Sequence, residues 1–128
     1  MNTPHQSTET FDEVAQAIWN YLSARDQHHD SPRGLAISIA LEASELLEHY
    51  QWREESDNSE AIAEELADIF IYAFTFALGQ DIDIAAAIHR KLKKAALKYP
   101  AKDFKGKTAN EREAARLNAK LHYRKEGL

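Results

Sequence analysis

Apolar residues recur along this chain at intervals of three and four, the spacing that lines up one face of a helix. Phe11, Val14, Ala15, Ile18, Trp19 and Leu22 set the first such run, opened by Thr10 with Glu13 three residues on, a capping-box pair. Ser31 followed by Pro32 is an N-cap with proline at the first helical position, and predicts a second helix toward Gln51. Asp57-Asn58-Ser59 closes a polar loop, after which a third helix runs to Gly79, whose glycine suits a C-terminal cap. A fourth helix starts at Asp81 or Asp83 and ends before Pro100; residues 101–107 read as a loop. Thr108 with Glu111 repeats the capping-box pair and opens a polar last helix past Leu117 and His122. No alternating strand pattern and no repeat is visible. The fold expected is all-α: a four-helix core plus a C-terminal helix. Residues 1–9 are expected to be a flexible N-terminus, 10–105 the helical domain and 106–128 an extension.

The third helix differs from the others. Ile69-Phe70-Ile71-Tyr72-Ala73-Phe74-Thr75-Phe76-Ala77-Leu78 is apolar around most of its circumference, which predicts burial on every side. Four helices of this length cover it poorly, so a homo-oligomer, a dimer or a tetramer, is expected to supply the rest. The run from Ile69 to Gly79 is 11 residues, too short for a bilayer. With no cysteine, thiolate zinc sites, thiol nucleophiles and disulfides are excluded. The N-terminal residues carry no signal-peptide pattern, and a cytoplasmic protein is the expectation.

Charge sharpens the picture. Residues 1–70 hold 15 Asp/Glu and 3 Lys/Arg, while residues 71–128 hold 6 and 13. The acidic half contains Glu42-Ala-Ser-Glu45 and Glu65-Leu-Ala-Asp68, each with two carboxylates one helical turn apart within apolar sequence. Carboxylates gathered at one spot repel, and stay ionised only with a cation between them. All-oxygen ligands suit Mg²⁺ or Mn²⁺; salt bridges to Lys or Arg are the competing explanation. Asp68, between Leu66 and Ile69, is the hardest to read as a solvated charge. The acidic total and the lack of a reader motif disfavour duplex nucleic acid. No Gly-rich phosphate loop and no Ser/His/Asp spacing is present.

The text around these pairs resembles a known family. Ser31-Pro32-Arg33-Gly34-Leu35-Ala36, Glu42-Ala-Ser-Glu45 continuing to Gln51-Trp52, Glu65-Leu-Ala-Asp68 with Tyr72, and Lys98-Tyr99-Pro100 follow in order, with a 19-residue spacer, Leu46 to Glu64, between the two carboxylate pairs. This is similar to the all-α nucleoside triphosphate pyrophosphohydrolases, the MazG-like superfamily, and within it to the small dCTP pyrophosphatase branch. The resemblance spans about residues 10–105. It implies a MazG-like four-helix core and hydrolysis of a (deoxy)nucleoside triphosphate between the α and β phosphates. Glu42, Glu45, Glu65 and Asp68 are the implied metal ligands, with Glu42 or Glu45 as general base. Lys91 matches a family lysine that meets phosphate. Trp52 matches a position at the base pocket, although a core Trp closing the helix end fits as well. Tyr72, one turn past Asp68, orients a ligand or packs an interface. Two departures fall on substrate contacts: Ala95 stands where relatives carry Asn, and Arg25-Asp26-Gln27-His28-His29-Asp30 replaces an Arg-Asp-Trp segment.

His28-His29-Asp30 looks like a transition-metal cluster, but adjacent loop histidines rarely converge, and a polar loop near a pocket mouth is the expectation. His49 and His89 read as surface or hydrogen-bonded histidines. Beside the enzyme reading stands a non-catalytic helical oligomer that binds metal or nucleotide as a sensor or interaction module.

Overall fold

A computed structural model describes residues 7–125. It is all-helical, with no strand among the described residues: α1 (Phe11–Ala24), α2 (Pro32–Glu48), α3 (Ser59–Gly79), α4 (Ile84–Lys98) and α5 (Ala109–Lys125), with one 3₁₀ turn at Ala101–Asp103. That turn falls within the segment expected to be loop. The expected flexibility of residues 1–6 lies outside the described residues. The chain divides into two compact units, one ending at Ile84 and one beginning at Ala85.

The starts of the helices follow the sequence closely. The backbone N–H of Thr10 donates to Glu13 Oε2 at 2.7 Å and that of Glu13 to Thr10 Oγ1 at 3.2 Å, so both arms of the box are made. Thr108 and Glu111 repeat this at α5, at 2.9 and 3.2 Å. Ser31 Oγ accepts from the Gly34 N–H at 3.0 Å, and Asn58 caps α3 by accepting from Ala61 N–H at 3.1 Å. Such a cap is worth about 1 kcal/mol.

The ends follow it less well. α2 stops at Glu48 and not at Gln51; residues 49–52 form turns. Gly79 is the last residue of α3 and not its left-handed cap. Asp81 takes that role with φ of 53°, its N–H donating to Leu78 O while the Ile82 N–H donates to Ala77 O. These paired bonds make a Schellman motif, and Asp tolerates its left-handed position better than most residues. α1 ends the same way: Asp26 has φ of 55°, and the N–H groups of Asp26 and Gln27 donate to Ser23 O and Leu22 O.

In the first unit α3 packs against both α2 and α1. Leu22, Leu35, Phe74 and Ala77 are buried together with Thr75, and the Phe11 ring meets Phe74 edge-on at 5.6 Å. Thr75 satisfies its hydroxyl by donating to Ile71 O at 2.7 Å. The expectation that α3 is buried all round does not hold within one chain: Leu66, Phe70, Ile71 and Leu78 remain exposed. Three short helices have no element left to lay over that side. In the second unit, Tyr99 and Phe104 meet edge-on, and the Tyr123 hydroxyl donates to Leu97 O at 2.8 Å. Among the described residues no helix is long and apolar enough to cross a membrane.

Candidate metal centre

On α2 the half-buried and buried positions Leu35, Ile39, Glu42, Leu46 and His49 follow one another at helical spacing, so Glu42 sits on the face that carries the apolar packing. On α3 the same arithmetic puts Glu65, Asp68, Tyr72 and Thr75 on one face, all half-buried except the buried Thr75. Packing α2 on α3 therefore brings acids from two helices together. Carboxylate oxygens of Glu42, Glu45 and Glu65 lie within 4.8 Å of one another. Asp68 stands outside this trio but near enough for its charge to act on Glu42.

The electrostatics record the crowding. Burial, followed by hydrogen bonding and repulsion from Glu45 and then repulsion from Asp68 and Glu65, raises the pKa of Glu42. Glu65 is raised by burial and by Glu45, and His49 pulls the other way. His49 Nε2 stands 3.7 Å from Glu65 Oε1, and both side chains are about three-quarters covered, at 23 % exposure each. Sequence reading left His49 as an ordinary histidine, yet it lies seven residues past Glu42 and four past Glu45 on the same face. That spacing was the available signal. Glu48, which continues the acidic stripe in sequence, is exposed and outside the trio.

The donor set fits a hard divalent cation. Glu42 Oε2 is buried without a hydrogen-bond partner, an expensive arrangement for a carboxylate unless a cation or proton meets it. Three carboxylates with no thiolate and no imidazole within the trio match the ligands of Mg²⁺ or Mn²⁺.

Beside Asp68 opens a cavity of about 520 Å³ in the first unit. Asp68, Tyr72 and Thr75 line it from α3, Tyr21 and Leu22 from α1, and Gln27 and Asp30 from the α1–α2 loop. Of the loop expected near a pocket mouth, Asp30 lines this cavity and the two histidines do not, and Tyr72 lines it from α3. Trp52 is 89 % exposed, so it does not close the helix end as a core residue, and it lies outside the lining of this cavity. The turn after Glu48 carries it away from the face that holds Glu42 and His49. Lys91 is exposed on α4 in the second unit.

The histidine loop departs from expectation. A carboxylate oxygen of Asp26 and one ring nitrogen each from His28 and His29 also lie within 4.8 Å of one another. The left-handed Asp26 turns the chain back on itself, which brings these neighbours together where an extended loop would splay them.

An all-helical chain whose second and third helices set Glu-x-x-Glu against Glu-x-x-Asp is the arrangement of the MazG-like proteins. Residues 37–113 match the MazG-like family, and this chain belongs to it. Among curated proteins it is similar to dCTP pyrophosphatase 1 from Homo sapiens, 26% identical over 102 residues, covering 72% of this chain and 60% of that protein. The rat (Rattus norvegicus) protein of the same name is 25% identical over 101 residues, 71% of this chain and 59% of its own length. The chain thus spans about three-fifths of these relatives. The crystal structure of a pyrophosphatase from Archaeoglobus fulgidus superposes with a TM-score of 0.64 at 29% identity, covering 77% of this chain and 99% of that one.

Proposed function

We propose that this chain is a metal-dependent nucleotide pyrophosphohydrolase. It would cleave (deoxy)nucleoside triphosphates between the α and β phosphates to the monophosphate and pyrophosphate, in nucleotide-pool housekeeping in the cytoplasm. The observation that carries this is the carboxylate trio of Glu42, Glu45 and Glu65, with its orphaned Glu42 oxygen, in a chain of the MazG-like family. The similar curated proteins and the structural neighbour are pyrophosphatases as well.

Glu42, Glu45, Glu65 and Asp68 would hold Mg²⁺, or Mn²⁺ in its place. When bound, the ion offsets charge on the phosphate oxygens and lowers the pKa of water. The remaining work falls to the chain. Glu42 or Glu45 accepts a proton from the attacking water as its oxygen bonds to the α phosphorus and the bond to the bridging oxygen breaks. Tyr72, on the cavity wall next to Asp68, positions substrate. Lys91 and Trp52 are read as phosphate and base contacts on the strength of the family pattern alone. Residues 10–105 form the catalytic domain in this reading, with 106–128 as its extension.

The same reading includes a homodimer or tetramer. Leu41 and Leu47 on α2 and Leu66 and Phe70 on α3 are 45 to 63 % exposed, and an apolar groove of about 420 Å³ runs past Leu46, Leu47, Ile62 and Leu66. A soluble chain seldom leaves so much apolar surface to water.

Product analysis on a panel of canonical and 5-modified nucleoside triphosphates, with Mg²⁺ and with EDTA, tests the reaction. Metal-dependent release of pyrophosphate and monophosphate is the expected result. Release of single phosphate would move the cleavage site. No turnover on any nucleotide would leave a binding module.

A further inference from the structure

The α1–α2 loop holds a second constellation that the pyrophosphohydrolase reading leaves unused. One carboxylate oxygen of Asp26 and ring nitrogens of His28 and His29 gather within 4.8 Å, with His29 Nε2 at 3.8 Å from Asp26 Oδ1. The two imidazoles lie 3.8 Å apart between centroids, and the rings of His28 and Trp19 meet edge to face with centroids 5.2 Å apart. His28 Nδ1 is buried and has no hydrogen-bond partner, so the fold leaves this ring nitrogen unclaimed. Imidazole with carboxylate is a ligand set for borderline cations, in contrast to the all-oxygen trio on α2 and α3.

We propose that Asp26, His28 and His29 form a separate binding site for a borderline divalent cation of the Zn²⁺ class. Tetrahedral Zn²⁺ with bonds of about 2.0–2.1 Å places its ligand atoms roughly 3.4 Å apart. The observed 3.8 Å pair needs a small closing movement, and any pair near the 4.8 Å limit a larger one. His29 and Asp26, at 73 and 88 % side-chain exposure, have the room to make it, while His28 is held by Trp19. Three protein ligands leave the fourth position to water. Gln27 lies within the site's own segment and Asp30 directly follows it, and both line the cavity beside Asp68. A cation here therefore stiffens one rim of that cavity without entering it.

The test uses tag-free full-length chain carrying Glu42→Gln and Glu65→Gln, which disables the carboxylate trio, with Trp52→Phe so that Trp19 alone fluoresces. Titration with Co²⁺ is followed by visible absorption and by Trp19 quenching, and titration with Zn²⁺ by calorimetry. One equivalent of Zn²⁺, quenching of Trp19 by Co²⁺, and a loss of affinity of about tenfold or more on adding His29→Ala are expected. His29 is exposed, so its replacement tests the site without disturbing the packing on Trp19; circular dichroism of each variant checks the fold. Binding that is unchanged by His29→Ala, or no uptake below about 1 mM, where affinity is only about −4 kcal/mol, would overturn the site. Neither result bears on nucleotide hydrolysis, which is read from the unmutated trio.

Discussion

Two clusters of possible ligands in the first unit are assembled in opposite ways. Glu42, Glu45 and Glu65 come from two helices and meet only because α2 packs on α3. Asp26, His28 and His29 belong to one turn and meet because a left-handed residue folds that turn. In the first cluster Glu42 and Glu65 are half-buried and bind protons more strongly than usual; in the second, Asp26 and His29 are mostly exposed. Charge repulsion is thus concentrated where tertiary structure forces it. A site that opposes its own fold when empty is restored by its ligand, whereas a local turn exists with or without one.

The widest separation between the two clusters is expected in catalysis. Glu42→Ala should lower kcat/KM for the best triphosphate by about a thousandfold, since offsetting charge on phosphate is worth several kcal/mol. Steady-state kinetics measures it, and a loss under tenfold would show that the trio is not the reacting centre.

The next effect is on stability. The folded-state pKa values of Glu42 and Glu65 lie above the ordinary 4.5, so the metal-free folded chain holds protons that the unfolded chain has released. Their contribution is fully present below 4.5 and is lost as pH rises through the raised values. Metal-free protein should therefore melt lower at pH 7 than near pH 5. Glu65→Gln should flatten that slope, and Mg²⁺ should raise Tm at pH 7. Thermal melts across pH with EDTA or Mg²⁺ decide; a metal-free chain equally stable at both pH values would remove the contrast with the loop.

The smallest effect belongs to the turn. Asp26→Gly relieves a left-handed backbone at a helix end and should raise stability by about 0.5 kcal/mol. It should do so in EDTA as well as in Mg²⁺, which urea titration can show. A destabilisation would mean that the Asp26 carboxylate already holds the turn together.

Features set by capping patterns and regular helical spacing are legible from the sequence, and those set by a single backbone dihedral, a helix end or a lone partner across a helix pair are not. The Thr10 and Thr108 capping boxes are three-residue patterns and formed as read. The convergence of Glu42, Glu45 and Glu65 was legible because helical spacing and one packed helix pair suffice to predict it. The spacing of His49 from Glu42 and Glu45 puts it on the acidic face, but its partner Glu65 comes from another helix, and no spacing within α2 reveals that pair. Gly79 invited the wrong cap: glycine is the usual left-handed residue, but the helix runs two residues too far for that and Asp81 takes the position. The His28–His29 convergence depends on the single dihedral of Asp26, which composition does not reveal. Trp52 does not close α2 as a core residue, because α2 stops at Glu48 and leaves it exposed.

The bond from the Tyr123 hydroxyl to the Leu97 carbonyl spans 26 residues of chain. Leu97 belongs to the last turn of α4, whose carbonyls have no helical donor of their own. The two helix ends are therefore fastened to each other, and fraying at one removes the clasp on the other. Amide protons in the last turns of α4 and α5 should then exchange with solvent together, as one opening event, although an exposed 3₁₀ turn and loop separate them along the chain.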